Sequence, residues 1–249
     1  MIEPQLFKLR VRYVKEGRLR YLAHLEVLRT VERIVRRAGL PYAVTQGFSP
    51  HMRAGFSSAL PVGTGSTCEW FDLVLTDYIP ADRALAALAD AAPADLKPVE
   101  AGYIDMRSDA LTAAITRVAY ELAMQPTGAC TREELQASMD KVIRQGSLSY
   151  RRGAKTKTLD IAGTLVSYTL SEADGSWLLA LDTRISNEGA MRPELLLAAA
   201  DALCAQPGQE PELAIGPQHY TCVAQVRICR VAQWCELKDG TLVSPLARA

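Results

Sequence analysis

Residues 18–53 read RLRYLAHLEVLRTVERIVRRAGLPYAVTQGFSPHMR, and the parsing of this stretch decides what lies on either side of it. A helix from about Leu22 to Ala38 is expected to stop at Gly39, which suits a left-handed cap, and Pro41 forbids its continuation. At 100° per residue, Ala23, Val27, Val31, Ile34, Val35 and Ala38 gather on one side, while Arg29, Arg33, Arg36 and Arg37 share the opposite quadrant. One side packs. The other is an arginine stripe whose acidic neighbours at helical spacing are Glu26 and Glu32.

Upstream, Leu6 to Val14 alternate as a half-buried strand requires, with Phe7, Leu9, Val11 and Tyr13 on one face. Lys8, Arg10 and Arg12 occupy the other face, which this pattern leaves open. Downstream, Ala54–Leu60 and Glu69–Thr76 read as strands joined by PVGTGST. That turn is no phosphate cradle, because a P-loop needs a following lysine and helix and here a strand follows. A helix over Pro80–Ala94 and a strand over Lys97–Ile104 complete the order βαββαβ.

After a polar linker, Met106 to Thr112, the same order recurs. Ile115–Met124 is a strand, and Thr131–Arg144 is a helix opened by Thr131 and Glu134 as a capping box. Long strands over Lys157–Ser171 and Trp177–Thr183 flank the hairpin signal Asp174-Gly175, before a helix over Pro193–Ala205 and a strand over Tyr220–Val231. The fold class is therefore α+β, with two tandem ferredoxin-like (βαββαβ) domains over residues 1–105 and 113–236. The tail 237–249 has too few apolar anchors to add an element. A basic loop, SYRRGAKTK, carries Arg151, Arg152, Lys155 and Lys157.

The 249 residues carry a formal net charge of zero, which conceals a segregation along the chain. Residues 1–60 hold 11 Lys/Arg against 4 Asp/Glu, and residues 61–140 hold 5 against 13. The opening MIEPQLFKLRVRY mixes charges with apolar residues, and no apolar run of membrane-spanning length follows, so a soluble, cytoplasmic protein without a membrane partner is expected. Six cysteines without a CxxC pair argue against a disulfide framework or a zinc ribbon.

Among the cysteines, His219, Cys222, Cys229 and Cys235 lie near one another in sequence, but strand residues seven apart point to opposite faces. No metal site and no cofactor are expected from that spacing. His24 and His51 are the candidates for acid–base catalysis, since histidine changes charge near neutral pH. A 17-residue helix spans about 25 Å, however, and separates them unless the following loop folds back. A structural His24 is favoured, and no catalytic residue is assigned. The charged residues point instead to RNA. Lys8, Arg10, Arg12, Arg29, Arg33, Arg36, Arg37, Arg53, Arg151, Arg152, Lys155 and Lys157 are the candidate phosphate contacts, with Trp70 available to stack a base.

Ala23-His24-Leu25-Glu26, then Arg36 to Pro41, then Gln46-Gly47-Phe48-Ser49-Pro50-His51 together resemble the radical-SAM-linked proteins, a bacterial domain family of unknown function. Leu60-Pro61-Val62-Gly63 and Glu69-Trp70-Phe71-Asp72 are similar to two further motifs of that family, and the resemblance is strong over residues 6–105. Such proteins are often fused to, or encoded beside, a cobalamin-binding radical-SAM protein, and commonly near RNA-processing and ribosomal genes. The resemblance thus implies a radical-SAM partner and no particular reaction.

Two departures from the family pattern have physical consequences. Ala23 replaces the usual serine, so only Glu26 can complete its half of a capping box. Met52 replaces the usual proline after the loop histidine, which removes a rigid residue. The expected function is a non-catalytic, RNA-interacting accessory protein. The alternatives are an RNA-processing enzyme using His24 or His51, and a protein-interaction module that meets the radical-SAM partner through Gln46–His51.

Overall fold

A computed structural model describes residues 5–186, 189–209 and 211–247. The first four residues of the opening segment and the last two of the tail lie outside the described residues. In chain order the first elements are β1 (Phe7–Lys15), α1 (His24–Arg37), β2 (Ala54–Phe56), β3 (Gly65–Leu75), α2 (Ala81–Ala91), β4 (Pro98–Ile104) and α3 (Leu111–Ala114). There follow β5 (Arg117–Pro126), α4 (Arg132–Arg144), β6 (Ser147–Arg152), β7 (Lys155–Asp160), α5 (Ile161–Thr164), β8 (Leu165–Ala173), β9 (Ser176–Arg184), α6 (Pro193–Ala205), β10 (Val223–Glu236) and β11 (Leu242–Val243). The fold is mixed α/β. It divides into one unit of Met1–Thr116 with Arg230–Ala249, and a second of Arg117–Cys229. Among the described residues no helix is long and apolar enough to cross a membrane.

In the first unit β1 pairs antiparallel with β3, Val11 opposite Phe71, and with β4, Val11 opposite Ala101. The order is β4-β1-β3-β10, and β2 pairs with β3. Leu9, Val11, Tyr13, Phe71, Leu73 and Leu75 form a core with Val27, Val31, Ile34 and Val35 of α1 and Ala84 and Leu88 of α2. Each such aliphatic side chain contributes about 1.5–3 kcal/mol on full burial, which is why the apolar stripe of α1 sets its orientation. At its C-terminal end Gly39 takes φ +65°, the left-handed turn that glycine adopts without a Cβ penalty. At its start the Ala23 N–H donates to Glu26 Oε2 at 2.7 Å, so the helix has half of a capping box.

Three sequence expectations change in this unit. The strand expected over Ala54–Leu60 stops at Phe56; beyond it the Ser57 N–H still donates to the Trp70 carbonyl, while the Ser57 hydroxyl donates to Glu69 and the Ser58 carbonyl accepts from Arg230. The face of β1 bearing Lys8, Arg10 and Arg12 is not open. Asp72 of β3 and Glu100 of β4 pair with it, and the tail covers part of it, with the Pro245 carbonyl accepting from Arg10 and Leu246 lying over Gly102. A Cβ on that glycine would sit 3.1 Å from Leu246 Cδ2. The tail also adds an element, β11, paired with Cys235 and Glu236 of β10.

In the second unit the order is β10-β5-β9-β8. Val118, Tyr120, Leu122 and Met124 are buried on β5, as are Trp177, Leu179 and Leu181 on β9. α4 and α6 pack against each other, α4 burying Leu135, Met139 and Val142 and α6 a nearly continuous run from Leu195 to Asp201. The Thr131–Glu134 capping box forms in both directions, with the Glu134 N–H donating to Thr131 Oγ1 at 3.2 Å and the Thr131 N–H to Glu134 Oε2 at 2.8 Å. The hairpin β8–β9 turns at Asp174 and Gly175, both at positive φ, the geometry that an Asp-Gly pair favours.

The single strand expected over Lys157–Ser171 is instead broken into β7, α5 and β8. Asp160 causes the break, since its carboxylate caps α5 by accepting from the Gly163 N–H at 2.9 Å. The basic segment is likewise no loop but the hairpin β6–β7, with Arg152 opposite Lys155 and Tyr150 opposite Lys157.

Candidate functional site

The sheet charges of the first unit are spoken for. Arg10 is only 3% exposed and grips Asp72 with two parallel bonds, Nε to Oδ1 at 2.7 Å and Nη2 to Oδ2 at 2.9 Å. Lys8 lies 3.6 Å from the same carboxylate and donates to the Ser108 carbonyl. Arg12 bonds Glu100 at 2.7 Å. A buried guanidinium already satisfied bidentately cannot turn outward without leaving a carboxylate uncompensated. Trp70, expected on the same face as a stacking platform, does share it but is 2% exposed, so it packs and offers no base-stacking surface.

The arginine stripe has the opposite fate. Arg29, Arg33, Arg36 and Arg37 are all exposed on α1. Arg33 donates to Thr30 Oγ1 at 3.0 Å, and Arg36 meets Glu32 one turn away at 3.3 Å. Such exposed pairs are worth little, about 0.2–1 kcal/mol, so a polyanion can replace them. Arg33 and Arg37 also line a surface groove of about 470 Å³ with Thr30, Ile34 and the Ala91–Pro93 corner that follows α2. Arg53 is half-buried, and its backbone ties the strand edge down, its N–H donating to Ala43 and its carbonyl accepting from Val74.

The motif loop is pinned at its base and free at its tip. Val44 pairs with Met52, the Thr45 N–H donates to the His51 carbonyl at 2.8 Å, and the His51 N–H donates to Thr45 Oγ1 at 2.9 Å. Met52 is a core residue, which anchors the loop at its base. Gln46, Gly47, Phe48, Ser49, Pro50 and His51 are all exposed, with Phe48 projecting fully into solvent. Ser49 Oγ lies 3.3 Å from His51 Nε2.

His24 is held elsewhere. It opens α1, half-buried, with its ring edge-on to Phe56 at 6.2 Å between centroids. Burial lowers its pKa below the usual histidine value, opposed by the Glu69 carboxylate and reinforced by the Lys15 ammonium. Among the described residues no hydrogen bond joins the two histidines, and the one hydroxyl paired with either ring, Ser49 with His51, sits on the exposed loop tip.

Sequence reasoning missed a buried polar cluster behind His24. Glu69 accepts from Arg230 Nη1 at 3.1 Å, from Gln233 Nε2 at 3.1 Å and from the Ser57 hydroxyl at 3.3 Å. Lys15 is buried too, its ammonium donating to the Arg20 carbonyl at 3.0 Å, and burial lowers its pKa. Tyr13, opposite Glu69 across the strands, is raised well above the ordinary phenol value by burial and by that carboxylate. The available signal was Glu69-Trp70-Phe71-Asp72: two carboxylates inside a strand that is otherwise apolar, three apart and so on opposite faces. Each has an arginine waiting for it.

In the second unit Arg151, Arg152, Lys155 and Lys157 are all exposed on the β6–β7 hairpin. Of the cysteine and histidine set considered for metal, Cys222 meets two partners not considered with it, Cys130 and Cys204. The three sulfurs lie within 4.8 Å of one another, and burial pushes the Cys130 thiol up to about 11 and that of Cys222 higher still.

A family model described as "Uncharacterized protein conserved in bacteria (DUF2344)" matches residues 8–193. A search among curated proteins returns no match. Among solved structures, a chain in the crystal structure of a Cbf5-Nop10-Gar1 complex is similar at 9% identity with a TM-score of 0.47. The match covers 90% of this chain and 48% of the other, so this chain spans about half the length of the one it matches.

Proposed function

The chain belongs to this bacterial family, and from that premise we propose that it is a non-catalytic, RNA-interacting accessory protein whose contact surface is the outer face of α1. The observation that carries the reading is the survival of Arg29, Arg33, Arg36 and Arg37 as an exposed cationic row when the neighbouring strand cations are consumed by Asp72 and Glu100. Arginines at helical spacing neutralise successive phosphates, and counterion release then drives association without base readout. The exposed β6–β7 hairpin supplies a second cationic element. The resemblance to radical-SAM-linked proteins supports RNA over other polyanions and a radical-SAM protein as the partner, and the lack of an apolar run of spanning length in the sequence supports a cytoplasmic setting. The strand orders β4-β1-β3 with β2 beyond, and β10-β5-β9-β8, support two tandem ferredoxin-like units.

The test is RNA binding by the full chain as a function of salt. With a structured RNA from the native cell, log K is expected to fall linearly with log salt, and reversing Arg29, Arg33 and Arg36 to glutamate is expected to abolish binding without lowering the melting temperature. Undetectable binding at low salt would end the proposal.

A second reading is favoured by one observation, the full exposure of Phe48 on a loop whose base is rigidly bonded. An unburied aromatic on a pre-ordered loop is the kind of anchor that protein interfaces use, and it suits a protein-interaction module for the radical-SAM partner. Loss of co-purification on Phe48→Ala, with RNA binding intact, separates this reading from the first. RNA processing through His24 or His51 has the least support, since the two side chains take different partners; unchanged RNA after prolonged incubation would count against it.

A further inference from the structure

Cys130, Cys204 and Cys222 are 74 and 18 residues apart in sequence, yet their sulfurs converge within 4.8 Å of one another. Three different elements bring them there. Cys130 directly precedes Thr131, the N-cap of α4; Cys204 lies in the last turn of α6; Cys222 directly precedes β10.

The convergence is supported by backbone and hydroxyl hydrogen bonds, and the Cys222 thiol itself donates to the Asp201 carbonyl at 3.9 Å, a weak bond that it gives up on ligating. Asp201, one turn before Cys204 on α6 and only 2% exposed, accepts from the Cys222 N–H at 2.8 Å and from the Thr221 N–H at 2.7 Å. The Thr127 N–H donates to the Cys222 carbonyl at 3.0 Å, and the Thr127 hydroxyl donates to the Thr221 carbonyl at 2.7 Å. Thr127 Oγ1 in turn accepts from the Ala129 N–H, which holds the turn that delivers Cys130. One buried carboxylate and one threonine therefore position two of the three thiols and the helix turn bearing the third, the outer-shell arrangement that orients metal ligands.

We propose that Cys130, Cys204 and Cys222 form a three-sulfur site for a thiophilic d10 cation of the zinc class. Tetrahedral coordination with Zn–S bonds of about 2.3 Å requires sulfurs about 3.8 Å apart, within reach of this cluster by small side-chain rotations. Three sulfurs and no oxygen ligand select zinc or cuprous copper over magnesium or calcium. Asp201, which accepts from the Cys222 N–H, also lines a cavity of about 310 Å³ with Ala205, His219 and Thr221, and a water from it would supply the fourth ligand. Each thiol that ligates gives up one proton to solvent, so binding needs no oxidant and tightens as pH rises.

The experiment uses the full chain, reduced and stripped of metal with a chelator, and Zn²⁺ and Co²⁺ as probes. One Zn²⁺ per chain is expected to protect three of the six cysteines from alkylation, and peptide mapping is expected to place them at Cys130, Cys204 and Cys222. The Co²⁺ form is expected to show near-ultraviolet sulfur-to-metal charge transfer. Cys204→Ser should remove protection of Cys130 and Cys222, while Cys235→Ser should leave it intact. Because protection is read in the unmodified chain, a variant that fails to fold does not spare the proposal. Absence of zinc protection, protection of a different set, or a disulfide within the trio that persists in the reduced preparation would overturn it.

Discussion

Arg230 reaches Glu69 across 161 positions of sequence, its Nη1 3.1 Å from Oε1, with the two side chains 2% and 5% exposed. The desolvation cost of two such charges is recovered only while both are present. Glu69→Gln should therefore destabilise the protein by about 3–5 kcal/mol, because it strands a buried guanidinium. The double change Glu69→Gln with Arg230→Met should recover much of that loss. Urea unfolding of the wild type and the two variants measures it, and a Glu69→Gln change costing under about 1 kcal/mol would mean the pair behaves like a solvated surface bridge.

The half-formed cap of α1 offers a gain. Glu26 already bonds the Ala23 N–H, but the alanine side chain has no oxygen to accept a first-turn N–H. Ala23→Ser should stabilise by about 0.5–2 kcal/mol, seen as a higher denaturant midpoint at unchanged slope. Glu26→Gln in the serine background should reduce the gain, since the two halves of the box support each other.

His24 makes stability pH-dependent in one direction. Its folded pKa lies below the ordinary value of 6.5, chiefly through burial, so the unfolded chain binds its proton more readily. The stability it contributes is complete above about pH 6.5 and is lost as pH falls through the lower folded value. Between pH 7.5 and 5.5 the wild-type protein should lose more stability than His24→Phe. Parallel losses in both proteins would assign the effect to other groups.

On α1, each phosphate-contacting arginine removed should flatten the salt dependence of RNA binding by about 0.7–0.9 in the log–log slope. Arg29→Ala is the cleanest single test, because Arg33 and Arg36 also bond Thr30 and Glu32. Arg10→Ala should act differently, lowering stability through the loss of its bonds to Asp72 with no change in slope for whatever protein remains folded.

For the motif loop, Phe48→Ala should leave stability within about 0.5 kcal/mol of wild type, as for other surface changes away from structural features. Met52→Ala, one residue beyond the loop histidine but buried in the core, should cost about 2–5 kcal/mol. Thermal melts of the two variants side by side distinguish the free tip from the anchored base.

Local chemistry alone determined the features whose causes are local. The stop of α1 at Gly39, the Thr131–Glu134 cap and the Asp174-Gly175 hairpin each depend on residues within a few positions of one another, and all are present. The apolar side of α1 was equally legible, because a 3.6-residue period reports which side chains share a face. The fate of a face is another matter. Lys8, Arg10 and Arg12 do share one side of β1, but alternation says nothing about what lies over it, and Asp72, Glu100 and Pro245 come from distant parts of the chain. The same distance hid the Glu69–Arg230 pair and the meeting of Cys130, Cys204 and Cys222. Spacing along a single strand bore on His219, Cys222, Cys229 and Cys235, whereas these three thiols come from the approach to α4, the last turn of α6 and the entrance to β10. Periodicity sorts residues into faces; only the packing of separate elements decides which faces are covered and which side chains meet.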